Sequence, residues 1–376
     1  MKKIIITGGH LTPALAIIER LKLSGKWEIY YLGRKYSQEG LKVPSEESKI
    51  IPKYNVKFIS ISAGRLQRKF TRYTIPSLLK IPLGFLQSLY WVLKIKPDVI
   101  LSFGSYVSVP VVISGWLFGV PIVSHEQTVF RGLANKINSF FSTKIAVSFK
   151  ESLDFFPKKK VILTGNILRS QLFSPPETEF SQKAGRILEK LKLPMIYITG
   201  GNQGSLTINR AVLGLLKEIL AKYIVVHQTG SLDFEYVKNK TKKLPKNLQE
   251  RYFLKDFFST EEVSWILNNA SLVIGRSGAN IVYELGVLGK PAILIPLPFA
   301  GGQEQLKNAK ILKDLGLAKI ILQKDLSPKR LLAEIEQAFK NYQNFVKSKK
   351  NASKVFLKDG AERLEKIVFD LFTNGF

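Results

Sequence analysis

Short apolar runs alternate with helical patterns along most of the chain, and this alternation restricts the possible folds more than any other feature. It runs through KKIIIT, WEIYYLG, DVILSF and PIVSHE and starts again with MIYITGG, YIVVHQTG and PAILIP. Strands that alternate with helices are typical of a parallel sheet with crossover helices. Because 376 residues are about twice the length of a usual domain, the sequence predicts two such α/β domains.

The predicted boundary between the domains lies in LFSPPETEFSQ, where paired prolines and polar residues interrupt the alternation. We predict Rossmann-like, doubly wound parallel-sheet domains over residues 1–173 and 183–345, joined by a linker over 174–182. Residues 346–376 are predicted to form a helical segment that returns towards the first domain. Two domains of the same architecture are expected to face each other across a cleft.

One long run, from Val99 to His125, contains no Asp, Glu, Lys or Arg and exceeds the ~20 residues that a transmembrane helix needs. Glycine and proline residues interrupt this run at two places, which is typical of turns between buried elements. We therefore predict no membrane span here, but a strand over 99–103, a helix over about 109–118 and a strand over 121–124.

The formal net charge of +28 indicates an anionic partner, which could be nucleic acid, anionic lipid or a phosphorylated substrate. A general bias of the source proteome towards basic residues would give the same charge. The absence of cysteine excludes disulfides, thiolate catalysis and cysteine-bound metals, and it fits a reducing cytoplasm. The opening MKKIIITGGH is too short an apolar run for a signal peptide, so we expect none.

Two glycine-rich turns, ITGGH at 6–10 and ITGGNQGS at 198–205, each follow a predicted strand and precede a predicted helix. Such a turn exposes backbone N–H groups at the positive end of a helix, where phosphate groups bind. Neither turn matches the P-loop or the full dinucleotide-binding pattern, which disfavours ATP hydrolysis and hydride transfer. One turn in each domain suits two phosphate-bearing ligands, a donor and an acceptor.

The three histidines, His10, His125 and His227, all lie at the ends of predicted strands, on the edge where open α/β sheets bind ligands. A single loop histidine is more often structural, but this residue type is suited to proton transfer near neutral pH. We predict that His10 is the general base, with His125 as the alternative.

The sequence contains no DxD pair, no HExxH and no other metal-ligand spacing. We therefore predict a metal-independent mechanism without a cofactor, in which helix N-termini and arginine stabilise the leaving group. Arg276 and Ser277 precede a helix whose amides can face a diphosphate. Glu284, about two turns further on, can accept hydrogen bonds from ribose hydroxyls, although a solvated helix charge is an equal alternative.

Residues 65–96 contain seven basic residues, no acidic residue and more apolar side chains than the core face of one helix needs. We interpret Leu86, Leu89 and Leu93 as core residues. The stretch 65–83, with its basic cluster around Arg68, is predicted to dock on an anionic membrane surface.

Taken together, the segments closely resemble the MurG family, UDP-N-acetylglucosamine:undecaprenyl-diphospho-muramoyl-pentapeptide N-acetylglucosaminyltransferases of peptidoglycan synthesis. The resemblance extends from residue 4 to about 322 and rests on TGGH…PALA, FGSYVS…P, HEQ…GLANK, TGN…R, GGNQG…N, HQTG and RSGA…YEL…GKPAILIP…Q…NA. It implies a GT-B fold, an acceptor- and membrane-binding first domain and a UDP-GlcNAc-binding second domain. It also implies inverting transfer of GlcNAc from UDP-GlcNAc to lipid I, giving lipid II, by a peripheral enzyme on the cytoplasmic face of the membrane.

The resemblance further implies roles for individual residues, and it assigns Gly8, Gly9 and His10 to the acceptor-side diphosphate loop. The residues expected to bind the acceptor and its diphosphate are Thr7, Gly8, Gly9, Tyr106, His125, Glu126 and Thr128. The residues expected to bind the donor are Arg169, Asn202, Gln203, Gly204, Phe258, Arg276, Ser277, Gly278, Glu284 and Gln305. For the uracil contact, Phe257 is an alternative to Phe258.

The chain departs from the family pattern at several positions that bear on acceptor and sugar contacts. The first glycine loop is shorter than the usual GGTGGH. Ser105 replaces a glycine, Thr128 an asparagine and Asn202 a serine, and Glu304 stands where a second glutamine is common.

Two other activities of this fold remain as alternatives, a glycolipid synthase with a diacylglycerol acceptor and a nucleotide-sugar epimerase. A nucleic-acid-binding protein is a more remote alternative, because only the net charge favours it, and we expect no nucleic-acid partner.

Overall fold

A computed structural model describes residues 1–38, 41–64, 74–201, 203–299 and 301–373 of the chain. The chain divides into two compact units, the first formed by Met1–Arg169 with Leu357–Phe376 and the second by Ser170–Phe356. Both units are built on parallel sheets, as the sequence predicts.

The first unit has, within the described residues, a seven-stranded parallel sheet of order β5-β2-β1-β6-β7-β8-β9, and β3 and β4 form a separate antiparallel pair. Its central strands are rich in β-branched residues and fully buried, because helices cover both faces of a parallel sheet. The strands are β1 Lys2–Gly8, β2 Trp27–Gly33, β3 Tyr36–Gln38, β4 Leu41–Pro44, β5 Lys57–Ser60, β6 Val99–Phe103, β7 Ile122–Glu126, β8 Lys144–Val147 and β9 Val161–Leu163. The helices are α1 Leu11–Leu23, α2 Glu46–Ile50, α3 Thr74–Ile95, α4 Ser108–Leu117 and α5 Leu133–Phe141.

The second unit has, in its described part, a six-stranded parallel sheet of order β12-β11-β10-β13-β14-β15. Its strands are β10 Met195–Thr199, β11 Ile224–Gln228, β12 Tyr252–Lys255, β13 Leu272–Gly275, β14 Ala292–Leu294 and β15 Ala318–Ile320. Its helices are α6 Glu179–Leu191, α7 Leu206–Leu213, α8 Leu216–Lys222, α9 Phe234–Thr241, α10 Lys246–Gln249, α11 Thr260–Asn269, α12 Ala279–Leu288, α13 Glu304–Asp314, α14 Pro328–Lys340 and α15 Tyr342–Val355.

Each of the two sheets has its own switch point, which lies beside its first strand. In the first unit β1 lies between β2 and β6, and in the second unit β10 lies between β11 and β13, so each chain segment builds one half of its sheet and then the other. Ligands of open α/β sheets bind beyond the strand ends at such switch points. Both glycine-rich turns follow a switch-point strand.

The last helix, α16 Gly360–Thr373, belongs to the first unit. Leu364 and Val368 are fully buried in the same core cluster as residues of α1, and burial of such side chains stabilises by ~1.5–3 kcal/mol each. Arg20 of α1 also forms an ion pair with Glu362 at 2.8 Å.

The structure differs from the predicted linker at its end. Residues 179–182 form the first turn of α6, because Thr178 and Ser181 make a reciprocal capping box that starts the helix there. The second unit also begins earlier, at Ser170, and extends to Phe356.

The prediction for the long uncharged run is confirmed, since it forms β6, α4 and β7. Gly104 and Gly119, with φ of 67° and 68°, provide the left-handed turns on either side of α4.

Helix α3 corrects the prediction that Leu86 and Leu93 are core residues, because they are 62% and 53% exposed, while Leu89 is half-buried. Its buried positions are the small residues Ser77, Gly84 and Ser88 together with Val92 and Ile95. A Cβ on Gly84 would lie 2.8 Å from the carbonyl oxygen of Ser62, so the helix approaches the backbone there too closely for a larger residue.

Five large side chains of α3 form an exposed stripe at helical spacing, which we call the α3 stripe: Leu79, Leu83, Leu86, Tyr90 and Leu93. Within the described ranges, one helical segment, Ser77–Ile95, is long and apolar enough to cross a membrane by length and composition alone, and 22% of it is buried. The predicted basic cluster at Arg68, Lys69 and Arg72 lies outside the described residues.

Candidate functional site

The turn after β1 packs directly on the turn after β6. Gly8 has φ of 137°, and a Cβ on it would lie 2.8 Å from the carbonyl carbon of Phe103. A Cβ on Gly9 would lie 2.8 Å from the side chain of Ser105. Only glycine fits at these two positions, so the sequence TGGH is required by the contact between the two turns.

His10 is the N-cap residue of α1, but its side chain makes no capping hydrogen bond. The first N–H groups of the helix therefore have no side-chain acceptor from the cap position and are suited to an anion. His10 is half-buried, and burial together with the positive charge of Arg34 lowers its pKa to about 4. The imidazole is uncharged at neutral pH, which is the state that accepts a proton.

Gln127, in the loop after β7, contacts His10. The amide Nε2 of Gln127 lies 2.5 Å from Nδ1 of His10, and the Gln127 side chain is 6% exposed. Nδ1 is thereby occupied by the protein, so Nε2 is the ring nitrogen of His10 that remains for a substrate.

Sequence reasoning missed Arg34, which follows β2 at the same edge of the sheet. Its Nε donates a hydrogen bond to Glu47 at 2.8 Å, and its guanidinium also hydrogen-bonds to Tyr106. Burial lowers the pKa of Arg34, but Glu47 and Tyr106 more than offset this and raise it above its ordinary value. The only sequence signal was its position directly after a strand.

His125, the alternative base, is 1% exposed. Its Nε2 lies 3.4 Å from the Ser148 hydroxyl and 3.5 Å from the carbonyl oxygen of Gly165. Burial lowers the pKa of His125 to about 4, and nearby His10 lowers it further against the opposing effect of the Gly165 carbonyl. A base must reach the hydroxyl that it deprotonates, so the geometry favours His10 over His125.

Glu126 and Thr128, predicted acceptor contacts, make hydrogen bonds within their own loop. Glu126 accepts from the backbone and hydroxyl of Thr128 at 3.1 and 2.9 Å, from the Gly132 N–H at 3.0 Å and from Asn135 at 3.0 Å. Burial raises the pKa of Glu126. These hydrogen bonds of Glu126 and Thr128 fix the loop that carries Gln127.

Thr7 is also engaged inside the protein. Its hydroxyl is fully buried and donates to the carbonyl oxygen of Leu32 at 2.8 Å, which ties β1 to β2.

The second unit has its own glycine turn after β10. Gly204 has φ of 75°, and a Cβ on it would lie 2.0 Å from the carbonyl oxygen of Thr229. Gln203 beside it is exposed, whereas Asn202 lies outside the described residues. The turn is therefore packed tightly on the exit of β11 and still presents a polar side chain to solvent.

Arg276 connects this turn with the exit of β13. Its guanidinium donates to the Ser205 hydroxyl at 2.8 Å and to Oε1 of Gln323 at 2.7 Å. It also donates to the carbonyl oxygen of Ile295 at 3.0 Å, and burial lowers its pKa. Arg276 therefore braces the two strand exits of the switch point against each other.

Ser277, Gly278 and Gln305 surround the start of α12. The buried Ser277 hydroxyl donates to the carbonyl oxygen of Gln305 at 2.8 Å, and Oε1 of Gln305 accepts from the Leu297 N–H at 3.0 Å. Gly278 is the N-cap of α12 and makes no side-chain cap. Glu284 lies half-buried on α12.

The two candidates for the uracil contact differ in exposure. Phe258 is fully buried, with its ring 5.0 Å from that of Phe180, whereas Phe257 is 54% exposed. A base stacks only on an accessible ring face, and of the two residues Phe257 has such a face.

Two further predictions concern Arg169 and metals. Arg169 is half-buried and is the last residue of the first unit's main segment. Within the part of the chain that the structure describes, no group of three or more His, Cys, Asp or Glu side chains could hold a metal ion.

Comparison with known proteins covers nearly the whole chain. The glycosyltransferase family 28 N-terminal domain matches residues 5–147, and the family 28 C-terminal domain matches residues 195–364. A Bacillus cereus protein named UDP-N-acetylglucosamine–N-acetylmuramyl-(pentapeptide) pyrophosphoryl-undecaprenol N-acetylglucosamine transferase 2 is 36% identical over 374 residues, 98% of each chain. A Clostridium tetani transferase of the same name, without the number, is 31% identical over 99% of each chain.

Solved structures share the fold over the same length. Acinetobacter baumannii MurG has a TM-score of 0.72 at 23% identity and is covered completely, as is this chain. The UDP-GlcNAc 2-epimerase of Neisseria meningitidis, solved with UDP-GlcNAc, has a TM-score of 0.66 at 13% identity, again over both whole chains. At these identities the structures support the GT-B architecture and nothing finer.

Proposed function

The chain belongs to glycosyltransferase family 28 and within it to the MurG family, and from this premise we propose that it transfers N-acetylglucosamine from UDP-GlcNAc to a lipid-linked N-acetylmuramyl-pentapeptide. Its Bacillus cereus and Clostridium tetani relatives are named for this activity. The observation that carries the proposal is His10, an uncharged and partly accessible imidazole at the start of α1, on the switch-point strand.

The acceptor is assigned to the first unit. Its diphosphate binds the N–H groups of Gly8, Gly9 and the first turn of α1, with Arg34 and Tyr106 supplying a positive charge and a hydroxyl. An anion at this position raises the pKa of His10 from about 4 towards the working pH. Binding of the acceptor therefore makes His10 a stronger base for the reaction.

The transfer step moves one proton and exchanges one bond. Nε2 of His10 takes the proton of an acceptor sugar hydroxyl while that oxygen attacks the anomeric carbon of GlcNAc. The bond from this carbon to the phosphate oxygen of UDP breaks, and the configuration inverts. General-base catalysis of this kind contributes about 10² to 10⁴-fold to the rate.

The donor is assigned to the second unit. The N-termini of α7 and α12 stabilise the charge that develops on the departing UDP, and Arg276 holds the loops that carry them. Glu284 accepts hydrogen bonds from the ribose, Phe257 stacks on the uracil, and Gln305 contacts the sugar. Gln203, Asn202 and Arg169 remain predicted donor contacts.

The direct test is transfer of labelled GlcNAc to a short-chain, detergent-soluble lipid I analogue. We expect a disaccharide product and one UDP released per product, both dependent on the acceptor. Conversion of UDP-GlcNAc to its C2 epimer without acceptor, or transfer to diacylglycerol in preference to the lipid I analogue, would replace the proposal with one of its alternatives.

We also propose that the α3 stripe docks on an anionic membrane surface, which places the enzyme on the cytoplasmic face as a peripheral protein. The five large side chains of the stripe are 46–71% exposed, an unusual arrangement for apolar residues on one helix. Lys80 and Lys94 accompany them, and residues 74–96 include no acidic residue. A lipid-linked acceptor requires an enzyme surface that reaches the bilayer interface.

Leu79→Glu combined with Leu86→Glu tests this docking. The double variant should lose co-sedimentation with anionic liposomes and activity on a full-length lipid acceptor, but keep activity on the short-chain acceptor. Leu232→Glu is the matched control, since Leu232 is an 89% exposed leucine of the second unit. Unchanged liposome binding of the double variant, or conversion of a dimer into a monomer, would assign the stripe to another partner.

A further inference from the structure

We propose that Gln127 is a positioning residue that accepts a hydrogen bond from Nδ1 of His10 and so fixes the one imidazole tautomer able to act as a base. This inference rests on the proposed function, because it concerns the base of that reaction. The carrying observation is the close contact between a buried amide and one nitrogen of the base.

The contact leaves His10 a single way to serve as a base. Its Nδ1 is 2.5 Å from the side-chain amide of Gln127, and Gln127 is only 6% exposed. A neutral imidazole carries one proton, and the nitrogen without it is the base. Because Nδ1 faces the buried amide, Nε2 must be the base and the proton must lie on Nδ1.

A proton on Nδ1 requires an acceptor in Gln127, and the amide contains one. As placed, the Nε2 of Gln127 points at His10, while among the described residues nothing hydrogen-bonds to its buried Oε1. A rotation of the amide by half a turn exchanges these two atoms and makes Oε1 the acceptor of the Nδ1 proton. The rotation leaves the NH2 group of Gln127 unpaired instead, so both orientations make the same number of hydrogen bonds. We infer the rotated orientation because only it leaves Nε2 of His10 without a proton, as a base requires.

The two amide orientations have opposite consequences for catalysis. With Oε1 towards His10, the imidazolium formed during transfer keeps a hydrogen bond from Nδ1, as in a catalytic triad where the third residue orients the histidine. With the NH2 group towards His10, protonation would place two donors against each other, and His10 could only donate from Nε2 to an anion.

The surroundings of the pair favour a neutral amide over a carboxylate at position 127. The charge of Arg34 lowers the pKa of His10, and His10 in turn lowers the pKa of His125. Arg34 is itself paired with Glu47 and bonded to Tyr106. An uncharged partner orients the ring and leaves its titration to be set by burial, Arg34 and the bound acceptor.

The loop that carries Gln127 is built to hold it still. Glu126 on one side accepts hydrogen bonds from Thr128 on the other, and also from Gly132 and Asn135. This explains why the structure directs the polar groups of Glu126 and Thr128 into the protein, since they locate the residue between them.

Two substitutions separate acceptance from donation. In Gln127→Glu the carboxylate can only accept from Nδ1, so turnover with the short-chain acceptor should stay within about tenfold of the parent protein. The carboxylate also raises the pKa of His10, so the acid limb of kcat should move to higher pH. Gln127→Met keeps the size of the side chain without its acceptor and should lose about 10²-fold or more, approaching the loss of His10→Ala. Gln127→Met should add little to His10→Ala in the double variant.

The tautomer itself can be read in the unmodified protein. The chain has three histidines, so ¹⁵N-labelled histidine gives few signals, and His10→Ala identifies those of His10. We expect a protonated Nδ1 and an unprotonated Nε2 at neutral pH. A proton on Nε2, or a Gln127→Glu variant as inactive as a well-folded Gln127→Met, would overturn the inference. Because the spectrum does not depend on turnover, failure of the parent protein to transfer GlcNAc would instead count against the proposed function.

Discussion

The two glycine turns occupy the same place in their sheets but differ in what surrounds them. The turn after β1 lies beside a partly accessible imidazole whose partners are a buried amide and the charge of Arg34. The turn after β10 is held by Arg276, whose hydrogen bonds go to the protein's own Ser205 and Gln323. Under the proposed function, the same architecture would serve proton transfer in one unit and anion binding in the other. Changes at the first turn should alter turnover, and changes at the second should alter donor binding and stability.

The largest effect is expected from His10→Ala, which removes the base from the first turn. Turnover should fall by about 10² to 10⁴-fold, while the affinity for UDP-GlcNAc, measured by calorimetry, stays the same because the donor is assigned to the second unit. Turnover within about twofold of the parent protein would mean that His10 only positions the acceptor.

Gly204→Ala breaks the second turn. A Cβ there meets the carbonyl oxygen of Thr229 at 2.0 Å in a backbone conformation with φ of 75°, so the free energy of unfolding should fall by about 1–3 kcal/mol or more. UDP should then stabilise the variant less than the parent in a thermal melt.

Gly201→Ala is the matched control for this prediction. Gly201 has φ of 82°, but a Cβ on it would have nothing within 4 Å, so only backbone strain of about 1–2 kcal/mol is expected. Equal losses of stability in the two variants would show that the contact with Thr229 is unimportant.

The strands and switch-point turns could be predicted from sequence because they depend on local patterns. Runs such as Ile4 to Ile6 are buried on both faces of a sheet, and glycine is required where Gly8 approaches Phe103. These signals lie within a few residues of the element they specify.

The contacts that define the site could not be predicted in this way, because they join residues far apart in the chain. Gln127 and His10 are 117 positions apart, and Arg34 meets Tyr106 only through the order of the strands. Which of the adjacent rings Phe257 and Phe258 faces the core is also decided by the fold and not by a local pattern. On α3, small residues such as Gly84 face inward, and leucines such as Leu86 are exposed, although leucine is usually expected in the core.

Glu284→Ala sharpens the assignment of the donor to the second unit. If Glu284 accepts hydrogen bonds from the ribose, UDP-GlcNAc binding should weaken by about 1.5–3 kcal/mol. Glu284→Gln, which keeps one acceptor oxygen, should lose less. Equal stabilisation of parent and Glu284→Ala by UDP would make this residue a solvated helix charge.

The smallest effect is expected at Ser105, where the first unit lacks the glycine that the family pattern has. Ser105 has φ of 69°, a left-handed conformation that costs a residue with a Cβ about 1–2 kcal/mol, whereas its neighbour Gly104, with φ of 67°, is a glycine. Ser105→Gly removes this strain, and the greater freedom of glycine in the unfolded chain offsets about 0.4–1 kcal/mol of the gain. We therefore expect a rise of roughly 1–4 °C in the melting temperature of the first unit, with turnover unchanged because the backbone already has the conformation that glycine prefers. Ser105→Ala keeps the strain and should give no rise. A lower melting temperature for Ser105→Gly would mean that the Ser105 side chain, which packs where a Cβ of Gly9 would lie, stabilises the contact between the two turns by more than its strained backbone costs.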